Sequence, residues 1–576
     1  MRKKHFLFAS VLALLCGSST LHAQDFKLTS SGYFKNQGVD VMAFDDIYPE
    51  GHQGGVCIIM NGHRVATNGD IRLEATPGQW QPVPKQLDRK LGDNSITATL
   101  CYPDSSRHLT GFNPMIYPDL HLIYTVNVES KGKNIEVTVD LDRPIPQEFI
   151  GKVGFNLEFF PGSLFGKPWI MDGQSGIFPQ QPNSPLMTTQ PNYLHTGNYH
   201  DGKKSLADMN KLIGKGYSPI VADDIISEPY AKGTKFTSRP DDPYNKVTIE
   251  SLSGDLQLFD GRMNHNNGWF VLRSNIKPGV TKGAVKWIIT PNVVADWMYQ
   301  PVIQTSQIGY HPTQDKEAVI EMDIRDNRKE TAQIIRIDAD GEKVVKNVTP
   351  ANWGKFLRYN YLKVNFTDVK EPGLYKIKYN TSVSPIFRID NDVYARGVWQ
   401  PVLEYFLPVQ MCHMRVNEKY RVWHDCCHMD DAQMAPAHNH IDGYDQKEGL
   451  SKFKPGEVVP GVNIGGWHDA GDFDLRIESQ AGESYILALA YEAFHPNLDV
   501  TSIDQINRVT EIHQPDGKND LLQQVENGAL TVVNGYLALG RLYRGIICND
   551  LRQYVLLGDA AAMTDGKIGN EDDRWI

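Results

Sequence analysis

Cysteine is scarce in this chain: seven residues in 576. That excludes a scaffold built from disulfides, which needs dense cysteine in a short chain. No dense Lys/Arg tract follows the N-terminus, and net charge is −11, so nucleic acid is excluded as an expected partner. After the first residues no apolar run is long enough to span a bilayer, so the mature chain is expected to lack a transmembrane segment. Internal repeats and low-complexity tracts are also missing. What remains is the composition of a globular protein, 41% hydrophobic and 22% charged, with length for several domains.

The chain opens with Met1-Arg2-Lys3-Lys4, a mostly apolar Phe6 to Leu15, and Leu21-His22-Ala23. This order predicts a secretory signal peptide over 1–23, hence an exported, periplasmic or surface protein. A lipoprotein anchored at Cys16 is the competing reading, weakened by the bulky Leu15.

Residues 24–297 read as β-rich. Ile135, Val137, Val139 and Leu141 alternate with polar residues, the period of a half-buried strand. His121 to Val128, Val153 to Phe160 and Ala284 to Val293 have similar character. A large β-sandwich is expected, of unassigned role. Trp80, Trp169 and Trp269 are either core anchors or sugar-stacking platforms. Residues 298–390 carry shorter, tightly spaced strand candidates with turn signals at Asp340-Gly341 and Pro372-Gly373, which suggests a small immunoglobulin-like sandwich. From 391 to 576 the text turns helical over Val393 to Met414, Gln480 to Phe494 and Leu521 to Leu542. Apolar residues nearly all round predict helices buried on both sides. So few helices do not close a toroid, so a fragment of a longer protein is expected.

Chemistry concentrates in Gly465-Gly466-Trp467-His468-Asp469-Ala470-Gly471-Asp472-Phe473. Two carboxylates three residues apart, with a glycine that permits a sharp bend, can share a water and deprotonate it as it attacks. The same four residues, Asp-Ala-Gly-Asp, also suit an ordinary surface turn. A second cluster lies nearby. Cys412 is followed by Cys426-Cys427-His428, and His468 lies in the motif above; two thiolates and two imidazoles drawn from these make a set that suits tetrahedral zinc in a structural role. A Cys412 disulfide to Cys426 or Cys427, or free buried thiols, remain open on spacing alone. His413, His424, His438 and His440 are nearby alternative ligands.

Gly465 to Phe473 resembles the signature of glycoside hydrolase family nine, the cellulase family with an (α/α) six-hairpin barrel. Gln307-Ile308-Gly309-Tyr310-His311-Pro312 resembles the start of the immunoglobulin-like module that precedes the barrel in one branch. Cys427-His428-Met429-Asp430-Asp431-Ala432 resembles that branch's Cys-His-Thr-Asp-Asp-Ala segment. The resemblance spans roughly residues 300–576. It implies Asp472 as catalytic base, Asp469 as its partner, and Cys412, Cys427, His428 and His468 as zinc ligands. It also implies inversion at the anomeric carbon and a polysaccharide substrate such as a β-1,4-glucan. The family's general acid, a glutamate, has no counterpart before Ile576 and is expected beyond it; the chain as it stands is then expected to be inactive. Glu478, Glu483, Glu492 and Glu526 read as surface or hairpin residues. Asn519 to Gln524 is less acidic than the family segment that it resembles. A non-catalytic polysaccharide-binding protein on the same scaffold is the alternative, with a zinc-stabilised adhesion module behind it.

Overall fold

A computed structural model describes residues 25–45, 54–74, 76–77, 84–102, 121–182, 186–189, 225–263, 268–408, 410–429, 432–435, 438–439, 445–447, 449–469, 474–548 and 574–575. The signal-peptide reading, Cys16, Trp80, His440 and Asp472 lie outside these residues.

Two nine-stranded antiparallel sheets form the first sandwich. Strand Asn134–Leu141 alternates as the sequence requires, with Ile135, Val137, Val139 and Leu141 buried. Facing side chains of the two sheets fill one large core, where Phe155 meets the edge of Trp287 at 5.0 Å. Trp169 is part of that core, and Trp269 stands edge-on to Phe160.

The central strand Val153–Phe159 is buried along its whole length. Phe155, Leu157 and Phe159 join the apolar core, so the pleat turns Asn156 and Glu158 the other way. Register places Asp70, Asn156 and Arg273 side by side on three adjacent strands. Here the guanidinium of Arg273 donates to Asn156 Oδ1 (2.9 Å), to the Glu74 carbonyl (2.9 Å) and to Glu74 Oε1 (3.4 Å). Gly154 leaves room for it, since a Cβ there would come within 2.9 Å of the Arg273 guanidinium carbon. Burial pushes the Glu74 carboxyl up to about 7 and that of Asp70 up to about 6, with the neighbouring arginines pulling each back.

The second sandwich packs a four-stranded sheet (302–304, 317–323, 359–365, 351–356) on a five-stranded one around Ile320, Leu362, Ile334 and Ile377. Strand Gly341–Val348 shows no buried face, which is why no periodicity announced it. Gly309 is fixed by close approach: at φ +107° its Cβ would lie 2.3 Å from the Arg388 carbonyl oxygen.

Among the described residues three α-helices follow: α1 (Gln400–Glu404), α2 (Ile477–Phe494) and α3 (Asp520–Leu539). The long helix expected over Val393 to Met414 is reduced to α1. Pro401 fits the first turn, where its missing N–H costs nothing, but Pro408 cannot continue a helix. The Asn519 side chain caps α3 by accepting from the N–H groups of Leu521 and Leu522, and Gly540 ends it at φ +71°. Burial on both sides does not hold within the described residues. Tyr485, Ile486, Leu489 and Phe494 of α2 and Val533, Tyr536 and Leu537 of α3 are exposed.

Candidate metal centre and carboxylate site

Three loop segments meet below α2 and α3. Met411 and Trp467 form an antiparallel bridge, extended by Cys412 N–H to the Gly466 carbonyl (3.0 Å) and His468 N–H to the Gln410 carbonyl (2.6 Å). The Gly-Gly pair is needed here. Gly465 and Gly466 have φ +68° and +84°, and a Cβ on Gly465 would lie 2.3 Å from the Asn527 carbonyl oxygen of α3. Trp467 is held through both backbone groups by the Gln480 side chain of α2 at 2.8 Å each. The backbone leading to Asp469 is thus tied to both long helices.

The bridge brings Cys412, Cys427, His428 and His468 together. One ligand atom from each lies within 4.8 Å of all the others, and all four residues are buried. Cys412 Sγ and Cys427 Sγ are 3.4 Å apart, and Cys427 Sγ is 3.6 Å from His468 Nε2. A disulfide needs about 2.05 Å between sulfurs. Donors around tetrahedral zinc stand roughly 3.3–3.8 Å apart, given Zn–S near 2.3 Å and Zn–N near 2.0–2.1 Å. The 3.4 and 3.6 Å spacings fall in that range, and two thiols with two imidazoles are a donor set of the zinc type. The Cys427 thiol is pushed down by its hydrogen bond to Cys412, while burial pushes the His468 imidazolium down, so thiolate and neutral imidazole, the ligating forms, are favoured.

Among the described side chains, His413, His424 and Cys426 do not join the cluster. His413 turns its Nδ1 to the Gly465 carbonyl at 2.9 Å, and burial pushes it down to about 3, so it is a neutral brace for the Gly-Gly bend. His424 turns Nδ1 to the Asp425 carbonyl. Cys426 lies 3.9 Å from the Arg508 carbonyl.

Asp469 is partly exposed, and its Oδ2 pairs with Arg476 Nε at 3.2 Å. Its N–H donates to the Asp474 carbonyl, and Arg476 also reaches Asp474 Oδ2 at 3.5 Å. Asp472, the other carboxylate read from the sequence, cannot be placed, since 470–473 lie outside the described residues.

Residues 298–384 match the family described as the cellulase N-terminal ig-like domain. The chain carries that domain. The Cys-His and Gly-Gly-Trp-His-Asp segments follow it in order along the chain. Among curated proteins no sequence matches the chain. Among solved structures it is similar to a metagenome-derived glycoside hydrolase family 9 endoglucanase, with 23% identity, a TM-score of 0.33, and 43% of this chain and 42% of that one covered. It is similar also to a Bacteroides ovatus GH9 protein, with 19% identity, a TM-score of 0.32, and 48% and 45% covered. A third is a Zn-binding triple mutant of the GH family 9 endoglucanase J30, with 22% identity, a TM-score of 0.31, and 41% and 40% covered. The chain spans less than half the length of each.

On α2 one further carboxyl feels the charge of Asp469. Glu483, read from the sequence as surface or hairpin, is half-buried on α2. Burial first, and then the charge of Asp469, pushes its carboxyl up to about 7. The signal was available in outline: Ile477, Gln480 and Leu487 form the buried stripe of α2, and Glu483 falls within it at helical spacing. Its folded pKa lies above the unfolded one, so the fold is favoured while Glu483 is protonated and loses stability as pH rises through about 7. Glu483→Gln is therefore expected to raise the melting temperature at pH 8 and to leave it unchanged at pH 4, measured by calorimetry across that range. An equal shift at both pH values would contradict the placement.

Proposed function

We propose that the chain belongs to an exported, inverting glycoside hydrolase that cleaves a β-1,4-glucan or a related polysaccharide. In this reading residues 24–297 are a β-rich domain, 298–390 the immunoglobulin-like domain, and 391–576 part of the catalytic barrel. The observation that supports it most is the convergence of Cys412, Cys427, His428 and His468 directly before Asp469. Those four residues would hold zinc. With every ligand position filled, the ion would supply backbone rigidity and leave no open position for water.

Asp472 is the general base and takes a proton from the attacking water. Asp469 accepts that water's second hydrogen bond. Arg476, 3.2 Å from Asp469 Oδ2, holds that carboxylate in its orientation. Inversion needs a separate proton donor, with the two carboxyl groups roughly 6.5–9.5 Å apart so that a water fits between base and sugar. Among the described residues no helix is long and apolar enough to cross a membrane.

The test is Asp472→Asn in the full-length protein. Release of reducing ends from soluble β-glucan is expected to fall by about 10²–10⁴-fold, the usual contribution of a general base, with melting behaviour retained. A variant that keeps the parent rate would overturn the assignment.

A further inference from the structure

Five aromatic rings form a continuous chain along the immunoglobulin-like domain. Trp353 and Tyr361 have ring centres 5.6 Å apart, Tyr361 and Tyr359 6.1 Å, Tyr359 and Tyr299 5.1 Å, and Tyr299 and Trp297 6.4 Å. The pleat accounts for the arrangement. Tyr359 and Tyr361 are two apart on one strand and so share its outer face, while the buried Asn360 and Leu362 point inward. A register shift between Asn352 and Gly354 on the neighbouring strand lets Trp353 lean edge-on against Tyr361.

Glu321 sits directly opposite Tyr361 across the ladder. Its two carboxylate oxygens accept from different hydroxyls: Tyr299 Oη at 2.8 Å and Tyr361 Oη at 3.1 Å. The clamp fixes the ring directions without burying them. Trp353 stays 55% exposed, and the three tyrosines are only partly covered. A sandwich core does not explain these rings, because the apolar core lies on the other side of the sheet.

The chain of rings runs into a cleft of about 400 Å³ between the two sandwiches. Trp297 forms part of its wall, seated against Gly38 of the first sandwich. At φ +68°, a Cβ on Gly38 would come within 2.7 Å of the indole. Facing the rings are Asp40, Arg358 at 3.7 Å from it, and the Asp323–Arg325 pair at 2.7 Å. Apolar ring faces beside charged hydrogen-bonding groups match a ligand with apolar faces and polar edges. A pyranose offers this pattern, its C–H face stacking on the rings and its hydroxyls bonding the carboxylates and guanidinium groups. Neighbouring rings are tilted by 54–88°, so the platform twists. A twisted platform suits a single flexible glycan chain better than a flat crystalline surface.

We propose that this ring chain and its cleft bind one soluble β-linked glycan chain, outside the carboxylate site. Only the choice of glycan rests on the hydrolase reading. The test is calorimetric titration of the full chain with a soluble β-glucan oligosaccharide, with insoluble cellulose in a parallel pull-down. Binding to the oligosaccharide but not to the insoluble form is expected. Trp353→Ala and Tyr361→Ala should each weaken it by about tenfold, a change of about 1.4 kcal/mol. Trp353 is exposed, so its loss leaves the fold intact. Glu321→Gln keeps its shape and one acceptor, and should weaken binding less than Tyr361→Ala. Unchanged affinity in both aromatic variants, or no binding by the parent chain, would overturn the proposal. Asp472→Asn should bind as the parent does. Loss of binding in that variant would place the glycan at the carboxylates and overturn the ring site, whereas full hydrolytic activity in it would overturn only the base assignment.

Discussion

Stripping the metal, or replacing Cys427 with serine, is expected to unfold the region that holds α2 and α3 while both sandwiches remain folded. The cluster joins three segments, around Cys412, Cys427 and His468, whose neighbours pack into two small apolar clusters. Two thiols and two imidazoles converge there with all four residues buried. Zinc binding in small structural sites is worth roughly 10–16 kcal/mol at neutral pH. A domain's whole stability is about 5–15 kcal/mol, so loss of the ion removes an amount comparable to all that the region has in reserve. Calorimetry with and without a strong chelator checks this. One transition should vanish or fall far in temperature, with the sandwich transitions unmoved. A thermogram insensitive to both chelator and Cys427→Ser would contradict a structural ion.

The first sandwich carries the second large effect. Arg273→Met should cost about 3–5 kcal/mol, as when one partner of a buried ion pair is removed. The guanidinium serves Asn156, Glu74 and the Lys152 carbonyl at once, and its side chain is 1% exposed. The loss should depend on pH. Glu74 has a folded pKa of about 7, raised above its ordinary value, so the buried carboxyl is neutral in mild acid and charged above pH 7. Without Arg273 the charged form has lost its main counter-ion, so the penalty should be larger at pH 8 than at pH 5. Urea unfolding at the two values measures it, and adding Glu74→Gln should recover part of the loss at pH 8. A pH-independent loss would contradict the pairing.

What the sequence disclosed follows from how local each signal is. The alternation of Ile135, Val137, Val139 and Leu141 marks a strand with one buried face, and such a strand forms. Strand Gly341–Val348 has no buried face, and so no periodicity to read. The network of Asp70, Asn156 and Arg273 joins residues far apart in sequence, and only the sheet register brings them together. Likewise, spacing alone left Cys412 and Cys427 open to a disulfide. The family resemblance implied four residues as ligands, and the antiparallel bridge between Met411 and Trp467 is the physical reason that those residues meet. Val393 to Met414 read as a helical, mostly apolar segment interrupted by Pro401 and Pro408, and of it only α1 forms, ahead of Pro408. Glu483 was overlooked because a glutamate in helical text is usually solvated; its place in the buried stripe of α2 overrides that habit.

The most direct measurement is the metal content of the purified protein, set beside the reactivity of its thiols. One zinc per chain is expected, with Cys412 and Cys427 unreactive until a chelator is added, and with the ion lost in Cys427→Ser. A chain without zinc, or with Cys412 and Cys427 joined as a disulfide, would contradict the claim that a bound ion fixes the backbone beside Asp469.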